Sequence, residues 1–228
     1  MALRINTNVA ALNAHRQLLN TEVQMNKSMQ KLSSGYRINN AGDDASGLVQ
    51  ANSLRTAVRV LRVEAQNTLQ QRASLSIQEG DVNTVENIVE RMAELIAKGD
   101  DTGGETEAEF DALATAIDAI SSASGMATIS SASLGVDTYS VGMDTSAALD
   151  DLGSILGDIG AEMNTLDFTY ANLQTKIENT SAQESAIRDV DMADEMVNFT
   201  KSQIMLQAGF AMMAQANMSS QGVLSLFG

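Results

Sequence analysis

The chain has 228 residues, 44% of them apolar, and a formal charge of −15 from 29 acidic against 14 basic side chains. That balance argues against a nucleic-acid binder, which needs clustered Lys and Arg for phosphate contacts. The absence of cysteine rules out disulfides and thiolate metal sites, and with no proline and 4% aromatics the chain is free to form long helices seamed by Leu, Ile, Val, Met and Ala.

In chain order, the first predicted element is a helix striped by Ala14, Leu18, Met25, Met29 and Leu32, interrupted where Thr21 or Glu22 stands. No stretch reaches the ~20 apolar residues of a membrane span. Asn6, Asn8, Asn13, His15 and Arg16 also break the apolar run of a secretory leader. A second helix is expected from Leu48 to Lys98, about 75 Å long. Its seam runs through Leu54, Val58, Leu61 and Ala65, then through Val82, Val85, Val89, Met92 and Ile96.

Loop chemistry from Lys98 to Gly104 precedes a shorter helix carrying Phe110, Leu113, Ile117 and Ile120, which folds back antiparallel. From Ser121 to Asp144 the composition turns to Ser, Thr, Gly and Ala, and Val136 to Val141 is the only strand-like run, so a small β-hairpin is expected near 124–144. Leu149, Leu152, Leu156, Ile159, Met163, Leu166, Tyr170, Leu173 and Ile177 then alternate by three and four, the spacing of a coiled-coil seam. Gly153, Gly157 and Gly160 either admit a close neighbour or merely weaken the first turns of this helix, and both readings stay open.

The last helix carries Met192, Met196, Phe199, Gln203, Leu206, Phe210, Met213 and Asn217 on one stripe, with Ile204, Ala211 and Met218 on an adjacent face. One partner helix cannot cover both. Packing against further copies is the natural solution and an intramolecular bundle the alternative. Before packing, the two chain ends are expected to lack fixed structure or to be chaperoned.

Chemistry is sparse. His15 is the single histidine, which removes two-His metal sites and makes a Ser-His-Asp triad improbable. Asp189, Asp191, Asp194 and Glu195 stand at a helix start, where acids cap free amides and complement the dipole; Asp43-Asp44 and Asp100-Asp101 read the same way. No phosphate-binding glycine loop occurs. No catalytic residue, metal ligand or cofactor is assigned.

The specific words lie at the two ends: Ile5-Asn6-Thr7-Asn8, Ala11-Leu12-Asn13, Leu32-Ser33-Ser34-Gly35, Arg37-Ile38-Asn39 and Asp43-Asp44-Ala45-Ser46-Gly47-Leu48. Near the finish stand Ile187-Arg188-Asp189-Val190-Asp191, Gln215-Ala216-Asn217 and Val223-Leu224-Ser225-Leu226. In this order they resemble bacterial flagellin. The resemblance implies an all-α, elongated antiparallel coiled-coil bundle: residues 1–44 and 187–228 as the arms of an inner core-tube domain, and 45–186 as a helical rod with the hairpin at its tip. The chain has almost no room for the family's variable outer domain, and it has Ser121 to Met126 as SSASGM where many members carry Thr-x-Phe-Asn-Gly.

The function so implied is a subunit that polymerises into the flagellar filament, with no enzymatic activity. Subunit packing falls to Leu12, Leu18, Met25, Leu32, Met192, Met196, Phe199, Leu206, Phe210 and Met213. Implied partners are further copies, an export chaperone on the C-terminal arm, and the hook-associated and cap proteins. Export proceeds without a cleaved signal, to an external or a periplasmic flagellum. The family's Toll-like receptor surface maps onto Arg91, Leu95 and Glu109, but Glu90 and Lys98 replace Gln, and Ala93 replaces Arg, departures that argue against recognition. The Ser and Thr residues of 121–145 are candidates for the family's O-linked sugars. The alternatives are a hook-filament junction protein and a monomeric secreted adhesion or immune-signalling protein.

Overall fold

The computed structural model describes residues 8–99, 105–140 and 144–227, with side chains as far as Met218. Its α-helices are α1 (Val9–Ser34), α2 (Ala45–Lys98), α3 (Glu105–Ser124), α4 (Ser131–Leu134), α5 (Ser146–Arg188) and α6 (Met192–Phe227). They pack as two compact units, a terminal one of residues 1–58 with 179–228 and a middle one of 59–178. The expected divisions after residues 44 and 186 both lie inside the terminal unit.

In the terminal unit α1 and α6 run antiparallel, as Asn8 Nδ2 donating to the Ala216 carbonyl at 3.0 Å and Lys31 pairing with Glu195 at 3.7 Å require. Asn8 caps α1 by accepting from the Ala11 amide, and Gly35, in the left-handed region at φ 74°, ends it, a conformation that suits glycine. The inward line of α1 is Ala14, Leu18, Thr21, Met25, Ser28 and Leu32, stepping by four and three. Thr21 therefore continues the seam. Its hydroxyl donates to the Gln17 carbonyl at 2.9 Å, which satisfies it on a buried face. Met29, which the sequence stripe included, is 48% exposed.

Phe199, Ser202, Leu206, Gly209, Met213 and Ala216 form the answering line on α6. A Cβ on Gly209 would come within 3.0 Å of Leu18 Cδ2, so the two helices approach most closely through glycine there. The ends thus cover each other's inner seams as paired helices.

The middle unit builds its core from the second half of α2, α3, α4 and the first half of α5. Val82, Val85, Val89, Met92, Phe110, Ile117, Ile129 and Leu152 are buried in one cluster. Phe110 meets Tyr139 edge to face at 5.5 Å. The whole predicted α5 seam is buried or half-buried, with Leu152, Ile159 and Leu173 the deepest. A Cβ on Gly153, Gly157 or Gly160 would meet nothing within 4 Å, so no close neighbour among the described residues calls for them.

The expected hairpin near 124–144 is not formed among the described residues. Residues 127–129 make a 3₁₀ turn and α4 follows, with residues 141–143 outside the description. Local partners take up the backbone: Ser130 Oγ accepts from the Ser133 amide, the Asp118 carboxylate accepts from the Ser131 amide, and the Val136 amide donates to the Ser131 carbonyl at 2.9 Å. The strand-like run thus begins with its first amide, that of Val136, already engaged, and no second strand stands beside it among the described residues.

Charge divides with the packing. The terminal unit's residues include eight acids and eight bases, whereas the middle unit holds 21 acids against six bases and so the whole of the −15.

Candidate functional site

The family-like words near Gly35 and Arg188 are turn and cap chemistry. Tyr36 and Asp189 form an isolated antiparallel bridge, flanked by the Arg37 amide donating to the Arg188 carbonyl at 2.7 Å and the Val190 amide to the Gly35 carbonyl at 3.0 Å. Arg37 Nη2 donates to the Ile187 carbonyl at 2.6 Å. The Arg188 guanidinium lies 4.1 Å from the centre of the Tyr36 ring, a cation–π stack.

Between α1 and α2 the Asp43 carboxylate accepts from the Asn39 and Asn40 amides. The Asn40 amide chiefly holds the Asp43 pKa below its ordinary value, with Lys27 and Lys31 contributing. Asp44 accepts from the Gly47 amide at the start of α2. Gly47 is buried, and a Cβ there would strike the Asp44 carboxylate and come 2.8 Å from Ile38 Cδ1, which explains a glycine at this position without appeal to φ. On the other arm, Asp191 accepts from the Ala193 and Asp194 amides and caps α6. Asp189 accepts from the Ser185 hydroxyl. The acids before α6 thus serve capping and pairing; Asp100-Asp101 lies outside the described residues.

The ten packing residues expected from sequence separate into two sets. Leu18 is buried, and Met25, Leu32, Phe199, Leu206 and Met213 are half-buried, all within the α1–α6 pair. Leu12, Met192, Met196 and Phe210 face outward, Leu12 at 61% and Phe210 at 56% exposure. Sequence reasoning passed over Val23 and Val197, which are exposed beside them. The back of α6 presents Met196, Val197, Ile204 and Met205 with Thr200 and Lys201 as one largely apolar surface.

Arg91, Leu95 and Glu109 do not share an exposed face. Arg91 Nη2 pairs with Glu109 at 2.9 Å and Nη1 with Glu94 at 2.7 Å; those hydrogen bonds, Glu94 first, raise its pKa above the ordinary value. Leu95 is 2% exposed and belongs to the core, because it follows Met92 by three residues and so continues the α2 seam inward. Its expected place on a receptor-facing surface is corrected accordingly.

No described helix is long and apolar enough to cross a membrane. Among the described residues, no three His, Cys, Asp or Glu side chains gather as a metal site.

Comparison with known families matches residues 5–132 to the bacterial flagellin N-terminal helical region and 144–227 to the bacterial flagellin C-terminal helical region. A flagellin of Halalkalibacterium halodurans is 34% identical over 97% of this chain and 98% of its own length. The flagellar filament 33 kDa core protein of Treponema phagedenis is 32% identical over 97% and 99%, and a Bacillus subtilis flagellin 31% over 98% and 99%. The first alignment runs over 268 positions, so that relative carries sequence this chain lacks. Both helical regions and the near-complete relatives agree: the chain belongs to the bacterial flagellins.

Proposed function

We propose that this flagellin, a structural subunit of the flagellar filament on which swimming depends, assembles through the outward faces of α1 and α6. One observation carries the reading: a two-helix unit that has already filled its mutual seam still exposes Leu12, Met196, Val197, Ile204, Phe210 and Met212. So much contiguous apolar surface is costly in water and marks an interaction surface. Many copies side by side would bury it on all flanks, giving a tube held by repeated apolar contacts.

The remaining partners follow from the same face. An export chaperone would cover the α6 surface before assembly, and hook-associated and cap proteins would meet it at the filament's two ends. A place outside the cell completes the reading; the similarity to a Treponema filament core protein keeps a periplasmic flagellum within it. A Toll-like receptor would have to open the Arg91–Glu109 pair and would find Leu95 buried, so a receptor-reporter assay should register weak or no activation.

The test is growth from seeds. Purified protein added to short filament fragments and viewed by electron microscopy should extend them as long tubes. A copy lacking residues 1–44 and 187–228 should not. Intact chains that stay monomeric on compatible seeds would overturn the reading and favour a junction or monomeric role.

A further inference from the structure

The terminal unit is electrically neutral, yet little of its charge is neutralised within the chain. Among the described residues Lys31 pairs with Glu195 and Arg188 with Glu184, while Lys27 and Lys201 form no ion pair and Glu22 neither pairs nor accepts a hydrogen bond. These leftovers are not scattered. Lys27, Lys31 and Lys201 line one polar groove of about 310 Å³ between α1 and α6, together with Glu195, Asn198, Ser202 and Met205. Three of the chain's five lysines thus meet at one place.

Glu22 lies elsewhere. It follows the buried Thr21 by one residue, whereas Lys27 precedes the buried Ser28 by one, so at about 100° per residue the two project from opposite flanks of α1. On Glu22's flank Leu19 and Met29 stand three residues before and seven after it, 49% and 48% exposed. One flank of the pair therefore sets a carboxylate, with Asn26 beyond it, between two exposed apolar side chains. The other is a lysine groove that shares Met205 with the largely apolar back of α6.

We propose that the Leu19–Glu22–Met29 flank of one copy docks against the α1–α6 groove of the next, setting the Glu22 carboxylate between Lys27 and Lys201. The proposal rests on assembly through the terminal helices and names a lateral contact within it. Complementary patches on opposite flanks make a head-to-tail contact, which propagates from copy to copy instead of closing as a two-fold dimer. The apolar side chains supply the burial, and the carboxylate fixes which lysines it meets and hence the stagger between neighbours. In the single chain the two ammonium groups stay hydrated. In the polymer the flanking Leu19, Met29 and Met205 exclude water around the contact and strengthen it.

Charge exchange tests this directly. Glu22→Lys alone, and Lys27→Glu with Lys201→Glu, should each raise the concentration needed for seeded growth by about tenfold or more, since attraction becomes repulsion. The triple variant carrying all three changes should restore growth to near the unaltered chain's level. Circular dichroism melting of each monomer verifies that the α1–α6 pair still forms; Lys27→Gln with Lys201→Gln, which only removes charge, serves if a reversal disturbs folding, and should raise the concentration several-fold. Unaltered growth of the folded variants, or a triple variant no better than the singles, would overturn the proposed contact while leaving assembly through the terminal helices standing. Failure of the unaltered chain to extend seeds would overturn both.

Discussion

The middle unit seals a set of large side chains in one cluster, whereas the terminal unit spreads its apolar residues along a helix pair; the middle unit too leaves apolar side chains in water, Ile77 at 67% and Phe168 at 78% exposure. Phe110, Ile117, Ile129 and Leu152 are sealed in a cluster fed by several helices, whereas α1 and α6 have only each other and leave Leu12, Ile204, Phe210 and Met212 in water. The charges divide as well, with a net −15 on the middle unit and no net charge on the terminal one. A helix pair is too thin to enclose two apolar faces, so what it cannot bury alone is left for copies of itself, and a neutral surface lets those copies approach. The acidic unit resists such packing and favours solvent.

That contrast can be broken by substitution. The largest effect is expected from Phe210→Asp, which should abolish seeded growth seen by electron microscopy while changing the monomer's unfolding free energy by less than about 0.5 kcal/mol, as for other exposed positions. A Phe110→Ala change should do the reverse: about 3–5 kcal/mol lost from the middle unit in denaturant unfolding, with the terminal surface intact. Gly47→Ala should cost about 1–3 kcal/mol by forcing Ile38 and Asp44 apart, read as a lower melting temperature with the α1–α2 turn disturbed.

The smallest effect concerns acid. Asp43 has its pKa lowered from 3.8, first by the Asn40 amide. Its contribution is therefore full above the ordinary value and is lost as pH falls through the depressed folded one. Melting of the intact chain against an Asp43→Asn variant should show a small advantage for Asp43 at neutral pH that disappears in strong acid. An advantage that persisted below that range would mean the carboxylate is not what holds the turn.

Much of this was legible because helices repeat. The α5 seam from Leu149 to Ile177 needed only its spacing, and the stretch from Val82 to Ile96 needed the same. Leu95 stands three residues after Met92, and that spacing carries it into the same core. The hairpin failed because β-structure requires a partner that no local pattern supplies, and the Ser131 carbonyl engages the first amide of the strand-like run, that of Val136.

For the assembly surface, sequence identified the apolar residues and not their direction. Two stripes on α6 and an interrupted one on α1 were visible, but which stripe turned inward depended on details outside any hydrophobic count: Thr21 bonding back to Gln17, and Gly209 letting Leu18 approach. Sequence by itself determined the helices, the capping acid Asp191, the family and the charge of each segment, because these follow from local spacing and residue chemistry. Only tertiary structure decided that Phe199 and Leu206 face α1 while Phe210 faces outward, and that Lys27 and Lys201 share a groove from which Glu22 is turned away, because the rotation of one helix against another is set by how both surfaces interlock.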